Sequence, residues 1–205
     1  MARVGKRAGR PAKSGPEGRF RIIGGAWRGR RLALPAGAEV RPTPNRVRET
    51  LFNWLAPVIA GARCLDLFAG SGALGLEALS RGAASVVFVD RSPAVARTLA
   101  GHLETLRCQQ GDIECADALR YLARSPTAFD VVFLDPPYRG GLLAPTLARL
   151  FEGAWLAPAA SVYLEHERGI EPPPAPPGWH LFRSAAAGQV RYHLLRPDPG
   201  TAEDT

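Results

Sequence analysis

The sequence predicts an α/β protein: a doubly wound, mostly parallel seven-stranded sheet with helices on both faces, an antiparallel strand pair at its end and a small N-terminal β-hairpin extension. Three observations predict it. Strand-like and helical patterns alternate from Arg63 onward; the strand runs are almost continuously apolar, as in strands covered on both faces; and a glycine-rich turn, Gly70-Ser71-Gly72-Ala73-Leu74-Gly75, follows the first of them. The 205 residues, 46% hydrophobic and 22% charged, suffice for one domain with appendages and exclude global disorder. No apolar run reaches the ~18 residues a membrane helix requires, and the basic N-terminus lacks the apolar core of a secretory signal, so a cytoplasmic protein is expected.

Charge divides the chain. Residues 1–31 hold ten of the 26 basic side chains and a single acidic one, Glu17, whereas the remainder is close to neutral. Positive charge gathered on one arm suggests a polyanionic partner, nucleic acid above all. Residues 1–19 are expected to be a disordered basic tail. Residues 20–40 form the basic hairpin: Arg21-Ile22-Ile23-Gly24-Gly25-Ala26-Trp27-Arg28-Gly29-Arg30-Arg31-Leu32 reads as strand, turn, strand. Arg21, Arg28, Arg30 and Arg31 suit phosphates and Trp27 suits an unpaired base; packing of Trp27 on the core is the alternative.

The catalytic domain is expected over 41–196. Thr43 is a plausible N-cap with Pro44 at the first helical position, and Val47, Leu51, Trp54 and Leu55 form one buried stripe. Strands follow at Cys64–Phe68, Ser85–Asp90, near Asp112 and Ile113, and at Asp130–Leu134, with helices at Gly72–Arg81, Pro93–Leu106, Asp117–Ala123 and Leu142–Phe151 between and after them. Ser161–Glu165, Trp179–Arg183 and Val190–Leu195 supply three more strands, the last two an antiparallel pair; Pro172–Pro177 is a rigid connector and 197–205 a frayed tail. Cys64, Cys108 and Cys115 fit neither zinc nor a disulfide framework and are expected to be reduced thiols, Cys64 packed beneath its strand. His102, His166, His180 and His193 share no metal-ligand spacing and are expected as surface or packing residues; Glu165 and Glu167 are expected on a solvated strand edge, with a glutamate bordering the cleft as the alternative.

Ligands of such sheets bind outside the carboxyl ends of the strands. Asp66 stands four residues before Gly70, where it would repel a pyrophosphate and attract an aminoacyl ammonium group. Asp90 is placed for two ribose hydroxyls, and Asp117-Ala118 for an adenine edge. Three acidic groups at successive strand ends describe S-adenosylmethionine better than a dinucleotide, although each alone would also serve as a helix cap. After the fourth strand comes Asp135-Pro136-Pro137-Tyr138. Its prolines lack N–H donors, so the Asp135 carboxylate and Pro136 carbonyl can hold the hydrogens of an exocyclic base amine in line with a methyl donor, while Tyr138 offers a stacking face.

These motifs, together with Arg21 to Gly25, Trp27 to Arg30, Arg41-Pro42-Thr43, Arg46 to Leu55, Asp66 to Leu79 and Gly188-Gln189-Val190, resemble the RsmD-type small-subunit ribosomal RNA guanine-N2 methyltransferases from Arg21 to about Leu195. The resemblance implies a class I, Rossmann-like methyltransferase fold, S-adenosylmethionine as cofactor, and methylation of one guanine N2 in 16S ribosomal RNA. It implies that Asp66, Phe68, Ala69, Gly70, Ser71, Gly72, Asp90, Asp117 and Ala118 line the cofactor site, that Thr43 and Arg46 cover its methionine end, and that Asp135 and Tyr138 hold the amine. Residues 1–19 precede the usual start of the family, and Asp90 stands where members often carry Glu. No metal is required, because the sulfonium is already an activated donor. The expected partner is ribosomal RNA, the small subunit or its assembly intermediate, and the expected state a monomer. Two other readings are a DNA adenine-N6 or cytosine-N4 methyltransferase, which about 205 residues leave without a target-recognition region, and an RNA-binding module with a vestigial pocket.

Overall fold

The computed structural model describes residues 18–35, 43–137, 141–169 and 174–200. Most of the expected basic tail, Arg41-Pro42 and Tyr138 lie outside these residues, as do 170–173 of the connector region and the last five residues. No helix among the described residues is long and apolar enough to cross a membrane.

The hairpin consists of β1 (Arg19–Arg21) and β2 (Arg31–Ala33), paired antiparallel with Arg21 opposite Arg31. The strands are shorter than the sequence pattern suggests, because residues 22–30 leave the ladder and lie along a helix of the body. Seven further strands form the main sheet: β3 (Arg63–Asp66), β4 (Ser85–Asp90), β5 (Gly111–Cys115), β6 (Phe129–Leu134), β7 (Leu156–Glu167), β8 (Trp179–Ala187) and β9 (Val190–Pro197). Their order is β5-β4-β3-β6-β7-β9-β8, parallel as far as β7 and antiparallel beyond it. The last two strands pair as expected. The winding direction changes between β3 and β6, which opens a crevice at their carboxyl ends. Strand β7 begins five residues before the expected Ser161, because a register shift after Phe129 lets Leu156 join β6.

Two apolar layers cover the sheet. Helices α1 (Asn45–Leu55), α2 (Ala73–Ser80) and α3 (Pro93–Leu106) contribute Val47, Leu51, Leu76 and Leu99 to one, with Phe88, Phe133 and Tyr163 from the strands. Helices α4 (Ala118–Tyr121) and α5 (Leu143–Glu152) pack Tyr121, Leu147 and Leu150 against Val132, Leu134 and Val162 on the other. The expected stripe of α1 holds, with Val47, Leu51 and Leu55 buried and Trp54 tilted against Tyr192 at 5.4 Å. Helix α1 starts one residue later than expected: Pro44, which has no capping side chain, is its N-cap, and the Thr43 hydroxyl turns to Asp135 instead.

All eight residues of α2 are buried, Glu77 among them. An amphipathic surface helix would expose one face, but here residues 22–27 cover it. Ala26 N–H donates to the Ser80 carbonyl, and Trp27 N–H to Ser80 Oγ. Trp27 is half-buried and packs on the core. Glu77 Oε2 accepts from Ile23 N–H at 2.8 Å, and Oε1 from Gly24 N–H at 2.7 Å and Arg81 Nε at 2.8 Å. Arg48, fully buried on α1, lies 3.5 Å from Oε2 and donates to the Arg21 and Thr43 carbonyls and to Asn45 Oδ1. Burial draws its pKa down and the Glu77 carboxylate opposes that shift. Removing one member of a buried ion pair strands the other, at a cost of about 3–5 kcal/mol. Glu77→Gln should therefore lower the melting temperature by about 10 °C in calorimetry, whereas Glu104→Gln at an exposed position of α3 should leave it within about 2 °C; equal melting temperatures would contradict this role.

Candidate active site

Asp66 closes β3, and its Oδ2 accepts Gly75 N–H at 3.0 Å, tying the strand end to the first turn of α2. The turn between them is held from both sides: Leu67 N–H donates to the Phe133 carbonyl of β6 and Ala69 N–H to the Val89 carbonyl of β4. Gly72 caps α2 at φ 75°, a conformation that disfavours side chains. Gly75 serves closeness instead, since a Cβ there would come within 2.3 Å of the Phe88 ring. Phe68 and Gly70 remain partly exposed at this turn, while Ala69 and Ser71 are buried.

The three predicted acidic groups stand at the expected strand ends. Asp90 Oδ2 accepts Gly70 N–H at 3.0 Å and Oδ1 accepts Ser92 N–H at 2.8 Å; the carboxylate is half-buried, and each oxygen keeps a further lone pair. Asp117 Oδ1 caps α4 through Leu119 N–H and Arg120 N–H, which is the capping alternative, beside a buried Ala118. Asp66 is only 3% exposed, and burial, reinforced by Asp90 and opposed by the Gly75 bond, pushes its pKa up to about 7. A buried acid poised near neutrality at a glycine turn, with acidic groups at the next two strand ends, is a donor set that fits a cationic ligand and repels a phosphate. Arg46 is exposed on the first turn of α1, and Thr43 is buried.

Asp135 follows β6 across the crevice from Asp66 and is partly buried, Pro136 is buried and Pro137 exposed; Tyr138 lies outside the described residues. Burial raises the Asp135 pKa well above the usual range, the carboxyls of Glu165 and Asp66 add to the rise, and a hydrogen bond from Thr43 opposes it. For Glu165 the favoured expectation of a solvated edge fails. It is 2% exposed, because β9 pairs beside β7, makes it an interior strand and sets Tyr192 opposite it. Its Oε2 accepts the Tyr163 hydroxyl at 2.8 Å inside the protein. The signal available was its position: one glutamate in the apolar run of a strand next to Asp135.

A cavity of about 340 Å³ opens between the hairpin and the start of α1, lined by Arg19, Arg21, Arg31, Thr43, Asn45 and Arg48 among others. The three hairpin arginines are exposed, Arg21 directly faces Arg31 across the ladder, and α1 begins with neither a side-chain cap nor an acidic residue. Like charges set opposite one another beside an uncapped helix start favour an anion. Arg28 and Arg30 are exposed on the adjoining loop. The three cysteines are free, and burial pushes the Cys64 thiol up to about 12, far from a nucleophile. Buried His166 and His193 stack with their Nε2 atoms 2.9 Å apart, and among the described residues no group of three or more His, Cys, Asp or Glu side chains could hold a metal.

The family model described as "Conserved hypothetical protein 95" matches residues 20–196. Among curated relatives, "Ribosomal RNA small subunit methyltransferase D" of Escherichia coli strain K12 is 49% identical over 187 residues, covering 91% of this chain and 94% of its own. The protein of the same name from Haemophilus influenzae is 43% identical over 184 residues, covering 88% and 95%. The solved structure of yhhF from Escherichia coli superposes with a TM-score of 0.80 at 48% identity, covering 88% of this chain and 99% of that one.

The Asp66 shift carries a sign that can be measured. Its folded pKa is raised, so the empty protein loses stability as pH climbs from the unfolded value near 4 to about 7 and is level above that. Asp66→Asn keeps an acceptor for Gly75 and removes the titration. Denaturant unfolding should show the variant gaining on wild type between pH 4 and pH 8, by up to about 4 kcal/mol, at the expense of S-adenosylmethionine affinity; a pH-independent difference would refute the placement.

Proposed function

Because this chain belongs to the Conserved hypothetical protein 95 family of RsmD-type ribosomal RNA methyltransferases, we propose that it methylates the N2 amine of one guanine in 16S ribosomal RNA, with S-adenosylmethionine as donor. The observation that carries the reading is the place of Asp135, directly after β6 at the switch point and within electrostatic reach of Asp66, where it and the Pro136 carbonyl would serve as an acceptor pair. When bound, S-adenosylmethionine supplies a methyl group already activated on a sulfonium.

The residues of the chain then have four tasks. Asp66 faces the ammonium end of the cofactor. Asp90 accepts the ribose hydroxyls with the lone pairs that Gly70 and Ser92 leave unused, and the segment at Asp117-Ala118 meets the adenine. Asp135 and the Pro136 carbonyl accept the two hydrogens of the target amine, turning its nitrogen lone pair out of conjugation and toward the methyl, with Tyr138 stacked on the base. The raised pKa of Asp135 suits it to take the proton released after transfer. The exposed arginines of the hairpin and its loop hold the RNA backbone, and Trp27, partly spent on the core, offers its open edge.

Asp135→Ala should lower methyl incorporation into small-subunit particles by at least about 1,000-fold while calorimetric affinity for S-adenosylmethionine stays within about threefold; retained turnover would remove Asp135 from the mechanism. Arg21→Ala with Arg31→Ala should weaken binding to a small-subunit RNA fragment and reduce the slope of log affinity against log salt by about 2, with cofactor binding unchanged. An unaltered slope would move the RNA contact elsewhere.

A further inference from the structure

We infer that the cavity between the hairpin and α1 seats one RNA phosphate, the phosphodiester on one side of the target guanosine. The placement rests on the proposed methylation of ribosomal RNA and adds to it the anchor that holds the target nucleotide once its base has left the stack. Strands β1 and β2 each expose their outer residues and bury the central one, Phe20 and Leu32. Directly opposed residues of an antiparallel pair share a face, as do alternate residues of one strand, so Arg19, Arg21 and Arg31 project from one side of the ladder. All three line the cavity. Among the described residues no acidic side chain lines it with them, and none forms an ion pair with any of the three.

Donors complete the opposite wall. The first helical bond of α1 runs from Arg48 N–H to the Pro44 carbonyl, which leaves the N–H groups of the first turn outside the ladder and without a capping side chain. Asn45 turns Oδ1 to Arg48 Nη2 at 2.7 Å; a guanidinium only donates, so the Asn45 amide keeps two N–H donors for a ligand. A helix start alone would be satisfied by water. Arg48 makes this one part of a site: it is 0% exposed, and it donates from Nη2 to the Arg21 carbonyl on β1 and from Nε to the Thr43 carbonyl ahead of α1. Its Nη1, buried 3.5 Å from the Glu77 carboxylate, finds no hydrogen-bond acceptor. One buried guanidinium thus ties both walls together and preorganises the cavity. A donor-rich cavity of this kind takes an anion that brings several acceptor oxygens, and at about 340 Å³ it has room for a phosphate with its ribose. Thr43 decides which phosphate. It lines the cavity and its hydroxyl donates to Asp135, so the seat adjoins the group proposed to hold the target amine. Exposed Arg28 and Arg30 are left for phosphates farther along the RNA.

The test uses the full chain and small-subunit particles reconstituted around RNA that carries a single methylphosphonate, a neutral linkage of nearly the same shape, at each position near the target in turn. On one side of the target guanosine the neutral linkage should weaken binding by wild type roughly 10-fold. That loss should vanish when Arg21→Ala is combined with Arg31→Ala and persist when Arg28→Ala is combined with Arg30→Ala, with S-adenosylmethionine affinity unchanged in both. An equal loss in wild type and the Arg21, Arg31 variant would overturn the inference, and so would wild-type sensitivity confined to linkages remote from the target. A fall in S-adenosylmethionine affinity matching the fall in RNA affinity would assign the cavity to the carboxylate of the cofactor instead. Inorganic phosphate bound by the chain, with no neutral linkage having any effect, would make it a seat for free phosphate and not for RNA. If the particles acquired no N2-methylguanosine while one linkage kept its coupling to Arg21 and Arg31, the parent reading would fall and the RNA phosphate seat would stand.

Discussion

The Glu77 carboxylate, sealed inside the protein on α2, is the constraint from which the layout of the cleft follows. Its two oxygens take the backbone N–H groups of Ile23 and Gly24 and the Arg81 side chain, with the Arg48 guanidinium alongside. An unpaired carboxylate at that depth would be prohibitively costly, so the N-terminal segment and α1 must both close on it. Arg48 extends the same network to the carbonyls of Arg21 and Thr43. One ion pair thus places the hairpin arginines at one wall of the cleft and Thr43 against Asp135 at its floor. The family resemblance begins at Arg21 for a physical reason, since the basic hairpin and its loop form an integral cover for α2.

Charge is divided between an acidic set of strand ends and a basic rim. The strand ends of the near-neutral body carry the acidic residues Asp66, Asp90, Asp135 and Glu165, which the proposed cofactor and target base would meet. The rim is basic and built from the arginines of the hairpin, where the proposed function would bring RNA phosphates. The net charge of +7 is therefore an imbalance between parts, with the acidic floor hidden beneath it.

Most of the fold was legible because periodicity and punctuation agree in it. Ser85–Asp90 and Pro93–Leu106 coincide with the expected strand and helix, the latter with Ser92 accepting from Val95 N–H and Pro93 at its first position. The motif residues Asp66, Asp90 and Asp135 could be placed because a βα turn puts them at strand ends whatever the neighbours do. What failed depends on partners distant in the chain. The pattern around Thr43 suits an N-cap, but the hydroxyl meets Asp135, 92 positions on. The alternation Glu165-His166-Glu167 favours a solvated edge over the cleft until β9 is laid beside it, and the first half of β7 pairs only through a register shift. Glu77 gives no local sign of burial beyond being one charge in an otherwise apolar helix, and nothing in the sequence names Ile23 and Gly24 as its partners.

The chemistry of the cleft stands or falls on the identity of the methylated nucleoside. Small-subunit particles lacking the modification, incubated with the full chain and methyl-labelled S-adenosylmethionine, can be digested to nucleosides and resolved by mass spectrometry. The proposed transfer to guanine N2 predicts label in N2-methylguanosine alone, arising at a single position. Label in N6-methyladenosine or N4-methylcytidine, or none in ribosomal RNA, would contradict it.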